Sequence, residues 1–167
     1  DYIQPVDVRN SDLKVSHLLG LSIEKCFIES IANTIGTDFR PYKIVKKGQF
    51  AYGPVTSRNG DKITIALLKE ADVCIISSSY SVFEITDTTK LLPEYLMLWF
   101  SRPEFDRYAR YKSHGSVREI FDWDEMCRVE LPVPDLKEQE KIVNTYNAIT
   151  KRIQLKQKIN ENLEKTA

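Results

Sequence analysis

The stretch Leu131-Pro132-Val133-Pro134-Asp135-Leu136-Lys137-Glu138-Gln139-Glu140-Lys141-Ile142-Val143 divides the chain into two kinds of structure. Pro132 and Pro134 remove backbone donors and restrict φ, so no helix runs through them. Asp135 then stands where an N-cap belongs, and Glu138 three residues on makes a capping-box-like D-x-x-E. The acidic first turn of Asp135, Glu138 and Glu140 suits the positive end of the helix dipole. No Pro or Gly follows Pro134. The pattern predicts a helix from Asp135 to Lys165, about 45 Å long for roughly 30 residues.

On that helix Ile142, Tyr146, Ile149, Ile153 and Leu163 fall on an alternating four-and-three seam, with Val143 and Ile159 beside it. Lys156 and Asn160 interrupt the seam, which favours a partner in fixed register at some cost in pairing strength. A helix of this length outruns one small domain, so part of the seam is expected to meet a second helix. The alternative is a terminal helix folded back on its own domain.

Upstream, the chain reads as an α+β domain with a small mixed β-sheet and short helices. Asp1 to Leu13 is a polar opening segment, and Val15 to Ile23 is strand-like. Glu24 to Thr34 is ambiguous between strand and short helix. Tyr42 to Tyr52 reads as a strand broken at Lys47-Gly48. Asn59-Gly60 gives the strongest hairpin signal, a type I′ turn. Ile63 to Leu68 and Val73 to Ile85 are rich in β-branched and aromatic residues. Pro93 to Ser101 and Pro103 to Tyr111 read as helices with Pro at the first position. A helical turn over Asp122 to Met126 and a short strand over Cys127 to Leu131 complete the domain. The expected boundaries are a domain at 1–134 and the long helix at 135–167.

The chain has 167 residues, 42% of them hydrophobic and 29% charged, which suits one soluble folded domain. Net charge is zero, but its distribution is uneven. Arg40, Lys43, Lys46, Lys47, Arg58 and Lys62 face one acid, Asp61, between positions 40 and 62. Arg102, Arg107, Arg110, Lys112 and Arg118 face Glu104 and Asp106, whereas from Glu119 to Glu140 the balance reverses. This suggests one basic face for a polyanion and an acidic neck. Cys26, Cys74 and Cys127 with His17 and His114 show no metal spacing and read as reduced thiols of a cytoplasmic protein. With no signal peptide and no long apolar run, no membrane span is expected. The start at Asp1 without Met suggests a fragment or a trimmed chain. Phosphate-loop, nucleophile-elbow and zinc motifs are absent, which argues against an enzyme.

The Leu131–Val143 run and its long helix resemble the conserved region of type I restriction enzyme specificity subunits. Tyr42-Lys43-Ile44-Val45-Lys46-Lys47-Gly48-Gln49-Phe50-Ala51-Tyr52 is similar to that family's y-k-i-v-k-x-G-d-f-v-y strand. Ile76-Ser77-Ser78-Ser79-Tyr80-Ser81-Val82-Phe83 is similar to its v-S-x-x-Y-x-v-f strand, Leu92-Pro93-Glu94-Tyr95-Leu96 to its l-x-P-e-Y-L helix start, and Gly115-Ser116-Val117-Arg118 to its G-s-x-R loop. The ordered set runs from about Leu18 to the end. The opening lacks the family's Trp-x-x-x-x-Leu-Gly-like start.

The resemblance implies a target recognition domain followed by a spacer helix. In that family two such domains sit at the ends of two antiparallel helices, and each reads half of a bipartite duplex DNA target. The helices dock methyltransferase subunits and, in the full complex, restriction subunits. Those partners carry S-adenosylmethionine, ATP and magnesium, so no cofactor is expected on this chain. The second helix is expected from another copy or from the other half of the subunit.

A DNA reader needs cations for phosphates and Arg, Asn, Gln, Ser or Thr for base edges. Two stretches hold both kinds. One is the tip with Arg58, Asn59 and Lys62; the other holds Arg110, Lys112, Ser113, His114, Ser116 and Arg118, with Tyr111 or His114 able to pack on sugar or base. Lys46 and Lys47 are further candidates, and Gly60 and Gly115 would permit close approach of backbone to DNA. The pairing residues expected on the helix are Ile142, Tyr146, Ile149, Ile153, Asn160 and Leu163. Tyr42, Tyr52, Tyr80, Tyr95, Trp99 and Phe100 read as core more than as a stacking platform. Two other classes stay open: a recognition domain from a fused restriction–methylation or phage-defence methyltransferase, and a helix-mediated scaffold that binds no DNA.

Overall fold

A computed structural model of the chain describes residues 2–30, 35–57, 59–115 and 118–166. Its elements in order are β1 (Ile3–Val6), β2 (Leu19–Leu21), β3 (Phe27–Glu29), β4 (Lys43–Lys46), β5 (Phe50–Tyr52), β6 (Ile65–Leu67), β7 (Val73–Ile76), β8 (Ser81–Ile85), α1 (Pro93–Phe100), α2 (Pro103–Lys112), α3 (Trp123–Cys127) and α4 (Leu136–Thr166). The main sheet has strand order β1-β8-β5-β6, and β2-β3 and β4-β7 form two small ladders. All pairings between these strands are antiparallel. Parallel pairing among the described residues is limited to an isolated bridge between Leu18 and Ile75. The α+β class therefore stands, with antiparallel ladders in place of a mixed sheet.

The expected strand Tyr42–Tyr52 is two strands in two different ladders. Gly48, at φ +86°, makes the turn between them, a left-handed conformation that costs glycine little. The polar opening contains β1, an edge strand paired with β8 from Ile3–Ile85 to Val6–Val82. Cys127 to Leu131 is not a strand: Cys127 closes α3, and Val129 and Leu131 pack on the core as irregular chain. Residues 31–34 of the ambiguous stretch lie outside the described residues, and Phe27–Glu29 of it is strand.

The larger core joins the main sheet to α1, α2 and α3 through Phe50, Tyr52, Phe83, Tyr95, Phe100, Phe105 and Phe121. Phe50 and Phe83 stack with centroids 4.8 Å apart, and Phe100 meets both edge-on. Tyr52, Tyr95 and Phe100 are thus core residues, as their alternation predicts.

At the neck Asp135 caps the helix as expected, but the reciprocal half of the capping box does not form. Asp135 Oδ1 accepts the Glu138 N–H at 2.9 Å, and its backbone carbonyl accepts the Gln139 N–H at 3.0 Å. Glu138 itself turns to Lys141, 3.4 Å away. Gln139 is fully buried. Its side-chain oxygen accepts the Leu92 N–H at 2.9 Å, and its amide donates to the carbonyls of Lys90 (2.8 Å) and Pro134 (2.7 Å). The Tyr95 hydroxyl adds a bond to the Pro132 carbonyl at 2.9 Å. These bonds and Val143 fasten the root of α4 to the segment that leads into α1. Beyond the root, Ile142, Tyr146, Ile149, Ile153 and Leu163 are 38–62% exposed, and Asn160 is exposed.

Candidate nucleic-acid interface

Strand direction gives the domain two ends. The connection 53–64 leaves the end of β5, and the turn 77–80 enters β8 opposite it, at Tyr52–Ser81. The root of α4 is bonded to Lys90 and Leu92, in the segment that follows the other end of β8. The expected two-residue Asn-Gly hairpin is therefore a longer connection between paired strands. Within it Gly60, at φ +65°, follows Asn59 in a turn closed by the Lys62 N–H on the Asn59 carbonyl at 3.3 Å.

The two loops singled out by composition form one surface. Val55 bridges Ile120, the Thr56 N–H donates to the Glu119 carbonyl at 2.9 Å, and the Phe121 N–H donates to the Pro54 carbonyl at 2.8 Å. The Thr56 hydroxyl donates to the Ser113 hydroxyl at 2.8 Å, which donates on to the Ala109 carbonyl at 2.7 Å. His114 and Ile120 exchange backbone bonds of 3.0 and 2.8 Å and close the second loop. Gly115 sits inside that closure at φ +133°, where an added Cβ would run into the Arg118 carbonyl oxygen.

Not every candidate residue faces outward from this surface. His114, Arg118 and Tyr111 are exposed, Tyr111 at 81%. The Asn59 amide instead turns inward, donating to the Val55 carbonyl and the Thr64 hydroxyl at 3.2 and 3.0 Å. Ser113 is likewise engaged, so both stabilise the loops in this state. Lys46 and Lys47 lie at the opposite end of β5, in the turn toward Asp72, with Lys47 3.9 Å from its carboxylate. Arg58 and Ser116 lie outside the described residues.

The expected basic face and acidic neck are not separate. Arg110 pairs with Glu119, Lys112 lies 3.7 Å from Glu125, and Arg128 lies 2.6 Å from the other oxygen of Glu125. Lys62 pairs with Glu24 at 2.9 Å, which raises the lysine's pKa. Runs of opposite charge in the sequence thus neutralise one another across the fold.

Sequence reasoning missed two parts of this end. The first is Lys25, whose ammonium donates to Asp106 at 2.7 Å and to the Phe100 carbonyl at 2.5 Å. The same Asp106 oxygen accepts the Ile63 N–H at 3.1 Å, tying the base of the first loop to α2. Burial lowers the Lys25 pKa, and Asp106 opposes that shift. Lys25 also adopts φ +61°, which nothing in its local sequence foretells. The second is Tyr80, whose ring lies 3.5 Å from where a Cβ on Gly53 would stand. With Ser79, Ile23, Asn59 and Arg118 it lines a cleft of about 370 Å³ beside both loops.

Among the described residues no three His, Cys, Asp or Glu side chains gather as metal ligands, and no helix is long and apolar enough to cross a membrane. The sequence is 26% identical over 127 residues to the type I restriction enzyme HindI specificity subunit of Haemophilus influenzae. That match takes in 75% of this chain and 27% of the relative, so the chain spans about a quarter of that protein's length. A chain of a solved structure concerned with complex assembly and conformational transition of the type I R-M system is similar at TM-score 0.48 and 18% identity, over 68% of this chain and 25% of that one. Residues 30–165 match the family described as type I restriction modification DNA specificity domain. That match covers most of the sequence, and the chain belongs to this family, one of specificity rather than catalysis.

Proposed function

We propose that this chain is one DNA-reading unit of a type I restriction-modification specificity subunit, with recognition in residues 1–134 and a spacer in the helix 135–167. The observation that carries this reading is the stitching of loops 53–64 and 113–121 into one surface, at the end of β8 away from the anchor of α4. Lys62, Arg110, Lys112 and Arg118 supply backbone attraction, while His114, Arg118 and Tyr111 stand where base edges and sugars are within reach. The unit reads one half of a bipartite duplex. Its exposed helix seam takes a second helix, from another copy or from the rest of the subunit, and presents docking surface to methyltransferase and restriction subunits. Methylation and cleavage, with S-adenosylmethionine, ATP and magnesium, belong to those partners.

The first test is selection from a randomised bipartite duplex library, with and without a methyltransferase subunit. Enrichment of a short half-site, or of two at fixed spacing, is the expected result. No enrichment in either condition would favour a helix-mediated scaffold, the reading that the exposed seam of α4 would then support.

Replacing Arg110, Lys112 and Arg118 together with Ala is expected to weaken duplex binding. Its salt dependence should flatten by up to about 0.9 in log–log slope for each phosphate that is no longer neutralised. An unaltered slope would move the interface elsewhere. Replacing Ile149 and Ile153, 56% and 52% exposed, with Glu is expected to abolish self-association without unfolding the domain. Each buried isoleucine in a helix pair is worth roughly 1.5–3 kcal/mol, and two charges reverse that gain. Unchanged mass by light scattering would rule out pairing between two copies through this seam.

A further inference from the structure

Three cations around the two loops meet the duplex already engaged by acids. Lys62 is held by Glu24, which reaches over from the turn between β2 and β3, and Arg110 is held by Glu119. Lys112 faces Glu125, which also holds Arg128. The first two acids are open to solvent, with 70% of the Glu24 side chain and 39% of the Glu119 side chain exposed. Exposed pairs of this kind add little to stability. They bear much more directly on what approaches the loops.

We propose that Glu24 and Glu119 are specificity-determining residues that suppress binding to DNA of arbitrary sequence. The inference rests on the DNA-reading function proposed above. Attraction to a non-specific duplex is almost wholly electrostatic, through phosphates that replace counterions on Lys and Arg. Here a phosphate must displace a carboxylate, and the displaced carboxylate then stands beside a polyanion. The chain has no net positive charge to offset that repulsion. On a matching half-site the exchange differs, because a carboxylate in the major groove accepts from the cytosine N4 amine while the released arginine takes guanine O6 and N7. The penalty is therefore recovered at the correct site and retained at others, which widens the ratio between the two. Glu125 belongs to a different group, since it is buried and also holds Arg128.

The test compares the unaltered chain with Glu24→Gln/Glu119→Gln on an unselected random duplex across a salt series, and then through the same library selection. The variant is expected to bind the unselected duplex about four- to twenty-five-fold more tightly, a factor of roughly two to five for each of the two surface pairs removed. Its salt slope should steepen by up to about 0.9 for each cation released to a phosphate. Enrichment of the half-site should become shallower. If the unaltered chain enriches a half-site while the variant binds random duplex no more tightly and with the same slope, this inference fails and the DNA-reading function stands. Equal tightening on random duplex and half-site, with enrichment unchanged, also overturns it. If neither protein binds duplex at low salt, both readings fall.

Discussion

Gln139→Leu is expected to lower stability by roughly 3 kcal/mol or more and to free α4 from the domain before the domain itself melts. The side chain is fully buried, and it satisfies the Leu92 N–H and the carbonyls of Lys90 and Pro134. Leucine fills similar space but leaves these half-buried groups without that partner, and each that stays shielded from water costs about 1–3 kcal/mol. For a chain of this size, a 3 kcal/mol loss corresponds to a fall in Tm of roughly 6–12 °C. Gln139→Glu is expected to do no better, since a carboxylate would oppose two carbonyls. Limited proteolysis should cut between Leu131 and Asp135 in either variant under conditions that leave the parent intact. A Tm within a degree of the parent, with the neck still resistant, would show that the anchor lies elsewhere.

The second large effect is expected at Asp106→Ala. Lys25 and Asp106 are shielded from solvent, with side chains 9% and 12% exposed. Removing one member of a buried pair strands the other charge and typically costs about 3–5 kcal/mol. Here it also removes the acceptor of the Ile63 N–H, so the base of the first loop loses its tie to α2. The deficit should depend on pH in a definite sense. Burial already lowers the Lys25 pKa in the folded protein, and losing Asp106 lowers it further. Between that lowered value and the ordinary 10.5, the unfolded chain holds the proton and the folded chain does not. Raising pH through this window therefore favours folding. The variant's deficit should be full below its own lowered lysine pKa and shrink as pH rises from there to the parent's value, which itself lies below 10.5. A deficit flat over that range would mean that the lysine escapes to water instead. Lys25→Met/Asp106→Leu should recover much of the loss, because an apolar pair needs no counter-charge.

Local chemistry was legible where it alone decides structure. The prolines at 93, 103, 132 and 134 and the Asp135 cap act within a few residues, and the helix boundaries follow from them. β1 was not legible, because an edge strand with Gln4 and Pro5 exposed has no alternation to announce it and exists by pairing with a strand far along the chain. The run from Cys127 to Leu131 erred in the other direction, since its apolar residues pack without a ladder partner. Composition singled out both loops, but their meeting rests mostly on backbone bonds between residues 54–56 and 119–121, which no side-chain signature announces. The same limit applies to Glu24 and Lys25. Pairings between residues 38 and 81 positions apart leave no trace in local pattern.

The buried root of α4 has a mechanical consequence. A straight helix of 31 residues is a lever about 46 Å long. An angular play of about 10° at its base would swing the tip by about 8 Å, more than two base-pair steps of about 3.4 Å. Length alone therefore sets no spacing. As the proposed spacer, the helix would be a ruler only as accurate as its hinge is stiff, and that stiffness comes from the buried Gln139 amide together with the Tyr95 hydroxyl and Val143.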